Sequence, residues 1–354
     1  PRFFNQLFSG LDYHALAGRF LTETINTSQY TYEVAPVFVL MEEVVLAKLR
    51  ELVGWSSGDG IFAPGGSISN MLAINLARFQ RFPDSRRRGN WALPRLALFA
   101  SRESHYSMEK GAALLGIGTD NLRLVPADQR GKMIPEELEK EIEKARAEVR
   151  WGQSCPLPCP GALCPVPYPI PMFPAPSHCQ MPHPDVPCLI LILFPPSHCP
   201  RPHSNVLCPI LMANSVTWNP HKLLGVGLQC SALLLPDTSG LLKRCHGAGA
   251  SYLFQPDKFY DTSYDPGDKT PQCGRRVDCL KLWLLWKANG TQGLARRVQR
   301  ALDATRYLKE QVKRREGFQL VMEPEFINLC FWFVPPSLRG KEGSPDYWSR
   351  LGKV

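Results

Sequence analysis

A lysine stands directly after Asn219-Pro220-His221 in "SVTWNPHKLLGVGLQCSALLL", residues 215–235. Lysine becomes a covalent catalyst when neighbours lower its pKa or when it condenses with an aldehyde. Lys222, set between His221 and the apolar run Leu-Leu-Gly-Val-Gly, has such an environment by sequence. Asn219 can donate to a phosphate, and Pro220 fixes the backbone beside it. An ordinary turn would use the same four residues. A second candidate is "PGGSISN", where the N–H groups of Gly66 and Ser67 and the Ser67 hydroxyl form a phosphate cup at a helix N-terminus. A glycine-rich turn with serine as N-cap fits the same letters. A third is "ESHYS", which puts His105 at a helix entry after a strand, where an imidazole can stack on an aromatic cofactor; a satisfied core histidine is the alternative.

These side chains must be carried by elements that bring them together, and the surrounding sequence supplies them. Residues 36–53 have apolar positions at helical spacing, with Gly54 as the stop. A helix is expected over about 68–80, after the glycine pair. "PRLALFAS" and "NLRLVPAD" read as strands, and "IPEELEKEIEKARAEV" as a surface helix entered at Pro135. Beyond residue 213, "QCSALLLPD" is a strand and "VDCLKLWLLWKANG" a helix closed by Asn-Gly. A long helix then runs to Gly317, and "FINLCFWFVP" is a further strand. This alternation predicts an α/β fold with a mainly parallel sheet. Three phosphate- or ring-binding candidates in such a chain, the lysine last, point to pyridoxal 5'-phosphate. No other lysine is expected in a comparable pocket.

The chain has 354 residues, enough for a large buried core, with 44% hydrophobic and 21% charged residues. The net charge of +9 is scattered or locally offset, and no basic stripe or aromatic reading surface accompanies it, so nucleic acid is not an expected partner. The longest apolar run, in "CLILILF", falls short of the roughly 20 residues that span a bilayer, so no membrane partner is expected either. No signal peptide is visible, and the absence of an initial methionine suggests that an original N-terminus is missing. Five of the twelve cysteines are dispersed and read as free thiols, which fits a cytoplasmic location.

From Trp151 the composition changes. Residues 151–212 hold 17 prolines, 7 cysteines and 4 histidines against two charged residues, Asp185 and Arg201. Ser177-His178-Cys179 recurs as Ser197-His198-Cys199, Pro182-His183 as Pro202-His203, and Cys188 as Cys208. The Cys and His gaps do not match zinc pairs, and the prolines remove the backbone donors of a metal knuckle, so no metal is expected. The tract reads as an insert with no native fold. The expected organisation is therefore 1–150 as the first part of a cofactor-binding large domain and 151–212 as the atypical insert. Residues 213–290 continue the large domain with the lysine, and 291–354 begin a truncated C-terminal domain.

The stretches "PRFFNQLFSGLDYHALAGRFLTETINTSQYTYEVAPVF", "PGGSISNM", "SHYS", "SVTWNPHK", "SYLFQPDKFYD" and "FWFVPPSLRGK" make the chain similar to the group II pyridoxal-phosphate decarboxylases. Within that group it resembles the branch acting on small acidic amino acids. The resemblance covers 1–149 and 213–354, and it implies a fold-type-I transferase-like architecture and a homodimer. By the same resemblance, Lys222 would hold the cofactor covalently and His105 would stack on its ring. Gly66, Ser67, Asn219 and His221 would cradle the phosphate. Tyr260 would return a proton to the α-carbon after CO2 leaves, and Gln6 would lie near the substrate's distal acid. The implied reaction is decarboxylation of cysteine sulfinate to hypotaurine. Aspartate or glutamate decarboxylation, or a member that does not turn over, are the alternatives. The family carries an aspartate about thirty residues before its lysine, which keeps the cofactor's ring nitrogen protonated. Here the tract offers only Asp185 there, and the chain ends before the family's substrate-binding arginine. Impaired activity is the expectation.

Overall fold

In a computed structural model of the chain, residues 10–152, 188–190 and 213–352 are described. The first helix, α1 (Tyr13–Ile25), starts on Asp12, whose carboxylate accepts the N–H groups of His14 and Ala15 at 2.9 and 3.3 Å. Helix α2 (Pro36–Val53) has proline in its first turn and ends at Gly54, where φ of +97° suits a residue without a Cβ. There follow β1 (Asp59–Ala63), α3 (Gly66–Arg81), α4 (Ser85–Arg88), β2 (Ala97–Ser101), α5 (Ser107–Leu114), β3 (Leu122–Val125) and α6 (Pro135–Gly152). After them come β4 (Cys188–Ile190), β5 (Val216–Trp218), β6 (Ser231–Leu235) and α7 (Leu241–His246). The chain continues through α8 (Asp278–Arg314), β7 (Phe318–Leu320), β8 (Phe331–Phe333) and α9 (Tyr347–Leu351).

The strands pair in three groups. Strand β2 lies between β3 and β4, parallel to both, with Leu98 opposite Leu122 on one side and Leu189 on the other. Strand β6 lies between β1 and β5, antiparallel to both, with Leu233 opposite Ile61 and Thr217. The third pair, β7 with β8, is also antiparallel. The sheet structure is thus mixed, with β6 running against its neighbours. Residues 219–230, which join β5 to β6, contain no crossover helix, and a parallel return would need one.

All five residues of β6 are buried, and their alternation divides the core. Leu234 faces a cluster with Leu46 and Leu49 of α2, Phe62, and Leu280, Leu282 and Leu285 of α8. Leu233 and Leu235 face the opposite cluster, with Leu72 and Leu76 of α3 and Leu241 and Leu242 of α7. Strand β2 divides its surroundings in the same way: Leu98 and Ala100 pack with Ile74, Met108 and Ala112, while Phe99 packs with Val125 and Ile142. Helices on both faces of each three-stranded sheet give the layered α/β arrangement expected from the sequence.

One detail agrees with the sequence reading and one differs. As expected from Asn289-Gly290, the first rod of α8 ends at Gly290, where φ is +66°, and the second rod follows without a loop. Within the tract read as unfolded, Cys188–Ile190 forms β4, because an apolar run can add to the open edge of β2 whatever the composition around it. The rest of that tract, including Asp185, lies outside the described residues. No described helix is long and apolar enough to cross a membrane.

Candidate active site

Lys222 sits in the connection between β5 and β6, one turn beyond the end of β5. Its N–H donates to the Asn219 carbonyl at 3.0 Å, and its own carbonyl accepts from Gly225 at 3.2 Å. Its backbone is therefore fixed from both sides, and the residue is half-buried. The preceding Asn219 lies against Gly66: a Cβ on Gly66 would meet the Asn219 amide at 2.6–2.7 Å. A side chain at position 66 would push the Asn219 amide aside.

Gly66 and Ser67 open α3, so their N–H groups precede the first intrahelical donors and carry the positive end of the helix dipole. Two buried polar pairs hold this end of α3 in place. Ser69 Oγ meets Ser231 Oγ of β6 at 2.8 Å, and Asn70 Nδ2 donates to Ser107 Oγ of α5 at 2.9 Å. The second pair places the start of α5, and with it His105, beside the start of α3. Neither pair was anticipated from sequence. Buried polar residues at Ser69 and Asn70, within one turn of Ile68 and Leu72, are the signal that marks them.

His105 accepts the Ser107 N–H on Nδ1 at 3.1 Å and stacks at 4.2 Å on Tyr106. Desolvation, together with the Lys222 and Lys110 charges, holds its pKa below the ordinary histidine value. The ring is thus neutral near pH 7 and lies within the field of Lys222. The structure therefore brings together four of the expected residues, Gly66, Asn219, Lys222 and His105, with Ser67 adjoining Gly66.

His221 is buried, and its Nδ1 lies 2.5 Å from the Cys230 carbonyl and 3.1 Å from the Cys230 N–H. Burial lowers its pKa; the Cys230 carbonyl opposes this, and the Lys222 and Lys281 charges reinforce it. Its ring ties the lysine turn to β6. Tyr260 belongs to a different cluster. Its hydroxyl donates to Asp265 Oδ1 at 3.0 Å and accepts from Lys258 Nζ at 2.8 Å, while Tyr32 packs on its ring at 5.0 Å. Burial raises the phenol's pKa, Lys258 opposes the rise and Asp265 adds to it. Gln6 lies outside the described residues.

The expectation of a single pocketed lysine requires correction. Lys281 is 1% exposed, bonded at 2.7 Å to Asp278 and at 2.5 Å to the Gln229 carbonyl. A buried ammonium bonded in this way is a structural cation, whereas Lys222 is half-buried and its turn begins at Asn219, which lies against the start of α3. The fit of a phosphorylated aromatic aldehyde can be judged from the residues themselves. The cup offers helix N-terminal donors and a serine hydroxyl for the phosphate. Asn219 Oδ1 is buried with no hydrogen-bond partner and calls for a donor, and it is the Nδ2 end of the same amide that can donate to a phosphate. The neutral His105 ring and the Lys222 amine complete a set that suits this cofactor.

The pyridoxal-dependent decarboxylase conserved domain matches residues 1–151 and 198–334. The chain belongs to the pyridoxal-dependent decarboxylase family. Its members are amino-acid carboxy-lyases that use pyridoxal phosphate. The chain is 62% identical over 360 residues to cysteine sulfinic acid decarboxylase of Homo sapiens, covering 100% of this chain and 71% of that one. It is 53% identical over 359 residues to the acidic amino acid decarboxylase of Bos taurus, covering 100% and 67%. Among solved structures it matches mouse CSAD with a TM-score of 0.83 at 56% identity, covering 100% of this chain and 72% of that one. Tryptophan decarboxylase of Catharanthus roseus, at 21% identity and a TM-score of 0.69 over 94% and 70% of the two chains, shares the fold. The family's fold-type-I architecture is the one expected from the sequence. The two matched stretches leave 152–197 between them.

Proposed function

We propose that this decarboxylase acts on cysteine sulfinate, releasing CO2 and hypotaurine, and so serves taurine formation. The convergence of Lys222, His105, Asn219 and the Gly66-Ser67 helix start carries the site assignment. The 62% identity to cysteine sulfinic acid decarboxylase supports the substrate. In this reading Gly66 and Ser67 hold the phosphate through N–H and O–H donors, with Asn219 beside them. His221 supports the cradle through the turn that it anchors to Cys230. The neutral His105 ring would stack on the cofactor without placing a competing charge beside it.

When bound, the cofactor's ring accepts the electron pair left at the α-carbon as CO2 departs. The chain's part is placement and proton control. Lys222 supplies the amine that holds the cofactor. Tyr260 returns a proton from its hydroxyl, and the Lys258 ammonium at 2.8 Å stabilises the oxygen as that proton leaves. By the family resemblance, Gln6 would lie near the substrate's distal acid. The tract 151–212 interrupts the large domain and offers Asp185 in place of the family's aspartate, so turnover is reduced by roughly a hundredfold or more.

The assembly is proposed to be a homodimer in the cytoplasm. The exposed apolar side chains Tyr13 and Phe20 of α1 and Val37 and Val44 of α2 support the first statement. The free thiols among the described residues support the second. Light scattering should give twice the chain mass.

Incubation with pyridoxal phosphate, borohydride reduction and intact-mass measurement should show one covalently attached cofactor, lost in Lys222→Ala. Release of CO2 from cysteine sulfinate should exceed that from aspartate and glutamate. It should rise when a family-type segment carrying the aspartate replaces 151–212. Attachment that persists in Lys222→Ala would sink the site assignment, and faster turnover of aspartate or glutamate would sink the substrate.

A further inference from the structure

The lysine turn is clamped by two segments remote from it in sequence. Arg297, in the second rod of α8, donates through one guanidinium nitrogen to the Leu224 carbonyl at 2.6 Å. Through the other it donates to Asp12 Oδ2, also at 2.6 Å. Asp12 in turn donates its backbone N–H to the Gly225 carbonyl at 2.9 Å, while its other carboxylate oxygen caps α1. Two successive carbonyls of the turn, Leu224 and Gly225, are thus each held by one partner in this pair. Gly225 has φ +69°, and a Cβ there would lie 3.2 Å from the Gly10 carbonyl, so the two segments meet closely. The Asp12 carboxylate is 8% exposed and the Arg297 side chain 33% exposed, which shields the bond from water on one side.

From this geometry we infer that Arg297 and Asp12 are positioning residues for Lys222: they fix the turn so that its amine meets the cofactor's aldehyde in the α3 cup. The inference rests on Lys222 as the attachment site. The Lys222 N–H and carbonyl bond within the turn, and His221 and Cys230 tie its first half to β6. The clamp at Leu224 and Gly225 holds its second half, two and three residues after the lysine. A fork that bonds a carbonyl and a carboxylate at once fixes direction as well as distance, which a lysine at position 297 would do less well.

The test measures covalent attachment of pyridoxal phosphate to the full chain, followed over time by borohydride quenching and intact mass. Melting temperature is recorded alongside. Arg297→Met should slow attachment roughly tenfold or more, because a misplaced nucleophile loses rate steeply with displacement. Arg297→Lys should fall between it and the parent chain. Asp12→Asn, which keeps a capping side chain, should slow attachment as well. Thr305→Val is the control for general destabilisation: it removes hydrogen bonds to the Ala301 and Ile327 carbonyls on the same helix, away from the turn. It should lower the melting temperature while attachment stays near the parent rate. If Arg297→Met does not fold, the lysine variant decides the question. Parent-like attachment in the Arg297 variants, with attachment abolished in Lys222→Ala, would overturn the clamp alone. Slowing by Thr305→Val in proportion to its loss of melting temperature would also overturn it. Persistence of attachment in Lys222→Ala would remove the site reading and the clamp with it.

Discussion

His105 and His221 are both held neutral, in each case chiefly by burial. At His221 the main cause is burial against β6, with two lysine charges adding to it; at His105 it is desolvation in the field of Lys222 and Lys110. A histidine whose pKa is lowered by folding is neutral in both states above about pH 6.5. Below that value the unfolded chain binds protons that the folded chain refuses, so stability falls as pH drops. Urea midpoints at pH 7.5, 6.5 and 5.5 should therefore decline, and His221→Gln should make the decline shallower. Equal slopes in parent and variant would assign the effect elsewhere; His246, also lowered by burial, is the next group to test. Lys222, Gly66, Asn219 and His105 were legible in sequence because their types carry chemistry that few other residues offer. The Lys281–Asp278 pair was not, since a lysine in "LKLW" looks solvated until the face of α8 that meets β6 is known.

Helix α2 and strands β2, β3 and β6 were legible because their apolar spacing follows the helix or strand period over enough residues, whereas β1, only five residues before a glycine pair, was not. The antiparallel direction of β6 was not, because direction depends on how the chain returns and not on the strand's own letters. Nor was the tie that joins α2, β1 and the segment before α8. Arg275 reaches Glu42 Oε1 at 2.5 Å and the Gln29 carbonyl at 2.7 Å, while Glu42 accepts the Phe62 N–H at 2.9 Å. The two residues lie 233 positions apart, and both side chains are nearly fully buried. Arg275→Met leaves the Glu42 charge buried without its partner and should cost about 3–5 kcal/mol in urea unfolding. Changing Glu42→Met as well should recover part of that loss, because Arg275 Nε and Glu42 Oε2 have no partners even in the intact pair. A double variant no better than the single one would show that the ion pair is a net stabiliser.

At the scale of the whole molecule, the family match and the TM-score of 0.83 to mouse CSAD place 213–334 on the same scaffold as 1–151, although the sequence between them differs in composition. That continuity was readable from motifs on either side of the tract; the pairing of Cys188–Ile190 with β2 was not, since three residues carry too short a pattern. The bond between His221 and Cys230 gives the molecule a built-in reporter. Burial pushes the Cys230 thiol far above its usual range and raises Cys245 to about 11, whereas Cys273 and Cys330 are exposed. A thiol reagent should therefore modify Cys273 and Cys330 at once and reach Cys230 only when the lysine turn parts from β6. The slow rate at that one peptide, read by mass mapping, counts how often the site comes open. Pyridoxal phosphate should lengthen the interval between openings and leave the fast thiols unchanged.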